Sequence, residues 1–233
     1  MSNSTPRVFR FEDGTEVSHE EVLEWELLAG RRLIRLLRKA LGSEGMMNAL
    51  EPYIDESTRR IGALIEQSAG QWRRSTIKVQ CDGLSIEEFF RWWTATAASI
   101  PELFLTANAE HVASLPAKNS RRGIVEPLGG LPTALFFNFR PDQGIEPVDN
   151  GYSNSVIGPG RLGTPDGVVA VRCIHHFRDT ESGMEALLTL EVPKAAHDAF
   201  VEEARQHLAI EFTRFMSMAL ADVSKMPGDE EFF

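Results

Sequence analysis

Val22, Leu23, Leu27, Leu28, Leu33, Ile34, Leu36 and Leu37 recur at roughly helical spacing between Ser18 and Gly42, and this predicts a first helix over 19–41. Ser18 followed by Glu21 is a capping-box pair that sets its start. From Met46 to Arg74 the rhythm continues through Met47, Leu50, Ile54, Ile61, Leu64 and Ile65, broken at Pro52 and Gly70, so one or two further helices are expected. An extended piece at 76–81 leads to a second capping box, Ser85 with Glu88, opening a helix through Phe89, Phe90, Trp92 and Trp93 that Pro101 ends.

The pattern then changes. Residues 124–128, 133–140, 168–178 and 184–192 are β-branched or aromatic runs separated by Gly, Pro and Asp clusters, and read as antiparallel strands. Residues 141–167 hold so many glycines and prolines that they read as a loop, with the position of a lid. Residues 195–223 form the longest helical pattern, followed by an acidic tail at 226–233 expected to fray. An antiparallel sheet followed by one long helix is the order of an α+β helix-grip domain, START-like, in which the sheet wraps the helix and encloses a cavity. The expected division is a helical N-terminal segment at 1–75, the helix-grip domain at 76–225, and the tail.

Composition narrows the function classes. Against 24 Lys and Arg stand 34 Asp and Glu, a net charge of -10, which disfavours nucleic acid as a partner. The short basic clusters Arg31-Arg32, Arg38-Lys39 and Arg121-Arg122 read as solvated faces and receive no function here. Cys81 and Cys173 are far apart and outside any C-x-x-C pattern, so neither a disulfide scaffold nor a thiolate zinc site is indicated. With no signal peptide and no run long enough for a membrane span, a cytoplasmic location is expected.

Candidate chemistry lies on the last helix. His207 and Glu211 are four residues apart and share one face, close enough to share an ion. Phe200, Ala204, Leu208, Phe212, Phe215 and Met218 define an apolar arc with Glu211 inside it and His207 at its edge. A carboxylate turned into such an arc requires a cation or a hydrogen-bond network. His111, after the Trp92-Trp93 helix, and Glu126, in the first central strand, would complete a shell of two imidazoles and two carboxylates. Strand alternation turns Cys173, His175 and Phe177 inward and leaves Arg172, His176 and Arg178 outward, with His176 expected to be solvated. An inward neutral imidazole at His175 is either a satisfied core histidine or a proton donor and acceptor.

Ser85 to Trp93 (SIEEFFRWW), the His111 segment, Ile124 to Gly129 (IVEPLG), Cys173 to Gly183 (CIHHFRDTESG) and His207-x-x-x-Glu211 resemble, in that order, the 2,4-diacetylphloroglucinol and phloretin hydrolase family. The resemblance covers roughly residues 80–223. It implies a helix-grip fold, zinc held by His111, Glu126, His207 and Glu211, a catalytic His175, and hydrolysis of the carbon–carbon bond between an acyl group and a phenolic ring. The implied partner is a small aromatic ketone. Where the family sets tyrosine and asparagine side chains near the first zinc-binding histidine, this chain has Leu103, Phe104 and Ser114, so the substrate is expected to differ. Two alternatives stand beside this: a non-catalytic carrier of an aromatic or lipid ligand, and a hydrolase or cyclase of another polyketide-like ketone. Leu27, Leu28, Leu33 and Leu36 offer a surface on which a second subunit could form a homodimer.

Overall fold

Ser18 and Glu21 form the expected capping box: the Glu21 N–H donates to Ser18 Oγ at 3.1 Å, and the Ser18 N–H donates to the Glu21 carboxylate at 2.7 Å. It opens α1 (His19–Ser68), inside which Gly42 has φ 64° and ψ 178°. Only glycine adopts that conformation cheaply, so α1 is two helical limbs meeting at a kink, the first ending where the hydrophobic rhythm stops. The second limb runs through Pro52, where a break was expected. A proline inside a helix costs about 3 kcal/mol, whereas Met46, Ile54 and Ile61 are all buried, each worth about 1.5–3 kcal/mol. Packing therefore keeps the limb helical past the lost hydrogen bond.

The structure, a computed structural model, describes residues 8–99, 105–115, 122–139, 145 and 151–223. A two-stranded hairpin, β1 (Val8–Arg10) with β2 (Glu16–Ser18), precedes α1. The main sheet contains β3 (Trp72–Asp82), β4 (Ala113–Leu115), β5 (Arg122–Pro127), β6 (Pro132–Phe137), β7 (Asn154–Leu162), β8 (Val169–Asp179) and β9 (Gly183–Pro193). Its order is β3-β9-β8-β7-β6-β5-β4, antiparallel throughout. Two further helices lie among the described residues, α2 (Ile86–Ser99) and α3 (Asp198–Val223), besides a single helical turn at 105–107.

The four expected strands are present as β5, β6, β8 and β9. The loop reading of 141–167 is corrected: residues 154–162 are a strand inside the sheet, and residues 141–144 and 146–150 lie outside the described residues. The segment assigned to helices at 1–75 also contains the β1–β2 hairpin and the start of β3. Pro101 and the tail at 226–233 lie outside the described residues.

Ser85 and Glu88 cap α2 as expected, through Ser85 N–H to Glu88 at 2.8 Å, and Asp179 at the end of β8 accepts the Ile86 N–H at 2.9 Å. Trp92 donates to Asp222 of α3 at 2.7 Å. The main core joins Phe89 and Trp92 of α2, Phe177 and Leu188 of the sheet, and Phe200, Phe212 and Phe215 of α3. On β5 and β6 the strand period divides the side chains: Ile124 and Leu135 turn to this core, while Val125 and Ala134 pack on Met46 and Ile54 of α1. A seven-stranded antiparallel sheet against a long C-terminal helix is the helix-grip arrangement anticipated from the sequence.

Both cysteines are free. Among the described residues no helix is long and apolar enough to cross a membrane. The four leucines named as a surface for a second subunit, Leu27, Leu28, Leu33 and Leu36, are all exposed.

Candidate metal centre

Three separate segments deliver the site. After a helical turn at 105–107, Asn108 accepts the Glu110 N–H on its side-chain oxygen at 3.0 Å, a tight turn that leaves Glu110 and His111 facing α3. The His111 N–H in turn donates to the Asn108 carbonyl, and the Val112 N–H to the Val125 carbonyl at 2.7 Å, which lays this segment along β5. Glu126 lies on β5 on the same side as Ile124. His207 and Glu211 come from α3, one turn apart.

The carbonyls of this loop are held from α1. Arg38 donates to Leu105 O at 2.7 Å, to Ala109 O at 3.0 Å and to His111 O. Burial lowers its pKa somewhat, but a guanidinium stays charged at any ordinary pH.

His111 is fully buried. Its Nε2 lies 3.3 Å from His207 Nε2, 3.4 Å from Glu126 Oε2 and 3.6 Å from Glu211 Oε1. His207 Nε2 stands 3.4 Å from the same Glu126 oxygen. His111, Glu126 and His207 thus offer donor atoms all within 4.8 Å of one another. Glu211 reaches His111 but stands outside that mutual group. The structure therefore brings the four sequence candidates to one place, with three of them tightly clustered.

Two ring nitrogens face each other here with carboxylates around them, and at most one proton can sit between the two rings. His207 Nδ1 lies 3.0 Å from Glu110 Oε2. An ionised carboxylate only accepts, so Nδ1 carries a proton toward Glu110, with the Asn108 side-chain nitrogen also 3.2 Å away. Nε2 is the atom that faces the cluster, a donor while the ring is protonated and a lone pair only where a metal ion takes that proton's place. Burial acts to lower the His207 pKa, but the Glu126 charge and the Glu110 hydrogen bond carry it well above the ordinary value. Burial acts to raise Glu126, and the nearby His207 and His111 rings bring it below the usual carboxylate range. Glu211 is raised by burial, which the same two rings only partly offset. Glu110 is lowered by its bond to His207.

The donor set and spacing are those a divalent cation takes. Donors of a tetrahedral zinc, each about 2.0–2.2 Å from the ion, stand about 3.3–3.6 Å from one another, and the four distances above lie in that range. His111, Glu126 and His207 could hold such an ion, with Glu211 beside it.

His175 is buried on β8, its ring edge-on to Phe212 at 5.0 Å. Burial holds its pKa down to about 3, so it is neutral at pH 7. Its Nδ1 is buried and, among the described residues, has no hydrogen-bond partner. Cys173, two residues earlier on the same face, has its thiol pushed well above the ordinary value by burial and by the charges of Glu126 and Glu211. That face of β8 therefore looks toward the carboxylates. His176 corrects the sequence reading: it turns to the opposite face as the alternation requires, yet is buried, with the Tyr152 ring at 5.8 Å. Of the residues set against the family pattern, Ser114 is half-buried on β4, and Leu103 and Phe104 lie outside the described residues.

Glu110 and Asn108 went unnoticed in the sequence. Asn-Ala-Glu-His at 108–111 carried a signal nonetheless, because an Asn side-chain oxygen that accepts the backbone N–H two residues on turns the chain back on itself and projects adjacent side chains together.

No family model matches the chain, and no curated protein does. Among solved structures the chain is similar to Ara h 8.0201, at 10% identity and TM-score 0.46 over 65% of this chain and 99% of that one. It is also similar to a protein from Mesorhizobium loti, at 14% and 0.41 over 66% and 100%, and to an uncharacterised protein from Rhizobium leguminosarum, at 15% and 0.39 over 65% and 97%. These likenesses say nothing of function, and the fold assignment rests on the sheet order and C-terminal helix: the chain is a helix-grip protein.

Proposed function

We propose that the chain is a zinc-dependent hydrolase that cleaves the carbon–carbon bond between an acyl group and a phenolic or polyketide-like ring, with His111, Glu126, His207 and Glu211 holding the metal. One observation carries this reading: a buried imidazole nitrogen of His111 is ringed at 3.3–3.6 Å by His207, Glu126 and Glu211. Electron pairs that converge in an apolar interior repel unless a proton or a metal cation lies among them, and two imidazoles with two carboxylates are a donor set that a divalent cation takes. The resemblance of the surrounding motifs supplies the reaction class, which the geometry does not contradict.

A bound zinc would supply Lewis acidity toward an acyl oxygen and acidify a water molecule. The chain's own residues supply the rest. Glu110 keeps the His207 proton on Nδ1 and the Nε2 lone pair directed inward. His175, neutral at pH 7, would take the proton of the attacking water as a base and return it to the departing ring carbon, which must be protonated as it leaves. Phe212 lies edge-on to His175, with Phe177 packed behind it, and helps keep bulk water from the ring. Two free cysteines suit a reducing cytoplasm.

Metal analysis of the purified protein tests the proposal. One zinc per chain is expected, reduced to about a tenth or less in His111→Ala, Glu126→Ala and His207→Ala, and less severely in Glu211→Ala because that carboxylate stands apart from the tight cluster. His176→Gln keeps the metal. A panel of acylphenols against aliphatic diketones then assigns the substrate. Metal-free protein that binds aromatic ligands unchanged and hydrolyses none of the panel would make the chain a carrier.

A further inference from the structure

The arginines of the basic pairs on α1, Arg31, Arg32 and Arg38, line a cleft. Arg31, Arg32, Arg35 and Arg38 from α1 and Arg214 from α3 line a space of about 440 Å³, within the size range of small-molecule sites. The segment carrying the metal-site residues closes one wall, through Thr106 and Ala109, and Leu28 and Ile34 give it an apolar side.

The charges in this cleft are unusual for the chain. Arg10, Arg59, Arg60, Arg73, Arg74, Arg91, Arg172, Arg178 and Arg205 all form ion pairs with Asp or Glu. Arg31, Arg32, Arg35 and Arg214 form none among the described residues, although the protein carries a net charge of -10. The Nε atoms of Arg31 and Arg38 are buried with no hydrogen-bond partner there. Buried donors of a charged group without an acceptor are costly, and like charges gathered around a cavity repel one another. A multivalent anion removes both penalties. The planar fork of a guanidinium pairs two N–H groups with two phosphate oxygens, so several such groups around one concavity suit an anion with more than one phosphoryl group.

We infer that the cleft between α1, α3 and the 105–109 segment binds the phosphoryl groups of a small anionic ligand through Arg31, Arg35 and Arg214. Arg38 is committed to the carbonyls of the His111 loop, so it forms the cleft's rigid floor and joins it to the metal centre. The inference stands apart from the zinc reading: it requires no ion and uses none of the four proposed ligands.

Calorimetric titration of the full chain with inorganic pyrophosphate tests it. Saturable binding of one anion per chain is expected, weakening steeply with added salt. The Arg31→Ala/Arg35→Ala variant should lose about a hundredfold or more in affinity, the cost of two charge-assisted hydrogen bonds. Arg214→Ala, a change at an exposed position of α3, should weaken binding without disturbing the fold. His207→Ala should bind pyrophosphate as the unaltered chain does, even where its zinc content falls, so the two readings fail separately. Capture on phosphatidylcholine vesicles containing phosphatidic acid, reversed by pyrophosphate, would assign the phosphoryl group to a lipid headgroup, and absence of capture to a soluble ligand. No saturable binding, equal affinity in the arginine variants, or a cleft filled by acidic groups of a second copy in sedimentation and cross-linking would overturn the inference.

Discussion

His207 is held at both ring nitrogens: its Nδ1 lies 3.0 Å from Glu110 Oε2 while its Nε2 faces His111 Nε2 at 3.3 Å. The first contact fixes which nitrogen keeps the proton, and so what the second can do. Glu110→Gln preserves the size of the side chain but removes the charge that anchors the Nδ1 proton. Zinc affinity is expected to fall about ten- to hundredfold, as for other partners of metal-binding histidines, measured by competition with a chromogenic chelator. An unchanged affinity would remove Glu110 from the site.

His175 makes the protein sensitive to acid in a defined window. Its folded pKa is about 3, depressed by burial below the unfolded value of 6.5. Above pH 6.5 neither state is protonated there and the full stability is present. As the pH falls from 6.5 toward 3, the unfolded chain gains a proton that the folded chain refuses, and stability is lost at up to about 1.4 kcal/mol per pH unit. Urea unfolding at pH 7, 6 and 5 should show a shallower decline in His175→Leu than in the unaltered chain. Parallel declines would show that the ring is not buried as a neutral base.

Arg38 ties the first limb of α1 to the loop that carries His111. Arg38→Ala leaves the carbonyls of Leu105, Ala109 and His111 without their charged donor, and about 2–4 kcal/mol of stability should go with it. Amide exchange across 105–115 should accelerate beyond the global change. Arg38→Lys should recover only part of the loss, because one ammonium cannot span the carbonyls that the guanidinium reaches.

Gly158 allows β7 to approach the end of β6. A Cβ placed there would lie 2.2 Å from the Asn138 carbonyl oxygen, so Gly158→Ala should destabilise by about 1–3 kcal/mol or more. Gly62 on α1 has open space around its Cα, and Gly62→Ala should instead stabilise by about 0.4–1 kcal/mol. Thermal unfolding of the two variants reads both signs.

The amphipathic parts of this fold were legible because each carries its own period. Both capping boxes, four strands of the sheet and the C-terminal helix follow from spacing within their own segments. β7 escaped because Gly158, Pro159 and Gly160 look like loop residues, whereas here they mark crowding: a Cβ at Gly160 would meet Val171 at 2.5 Å, and a register shift sits at Gly160/Arg161. His176 was placed on the correct face but expected in water, since nothing local reveals that Tyr152 lies over it. In the site, the His207 and Glu211 pair was visible as a helical repeat, whereas His111 and Glu126 are bland taken alone and were picked out by the resemblance of their segments. Glu110 was not, because its partner is 97 positions away and no periodicity reports on a contact of that range.

The site draws its donors from regions remote along the chain, with the contact between His111 and His207 spanning 96 positions. Closing so large a loop is entropically slow and becomes worthwhile only once the intervening strands are aligned. A growing polypeptide that has emerged as far as β5 exposes His111 and Glu126 as an incomplete pair, with the other two donors still to be synthesised. Assembly of the centre is thus deferred until α3 docks, and a chain truncated before that helix would lose two of the four donors together with Phe200, Phe212 and Phe215, which close the main core over the sheet.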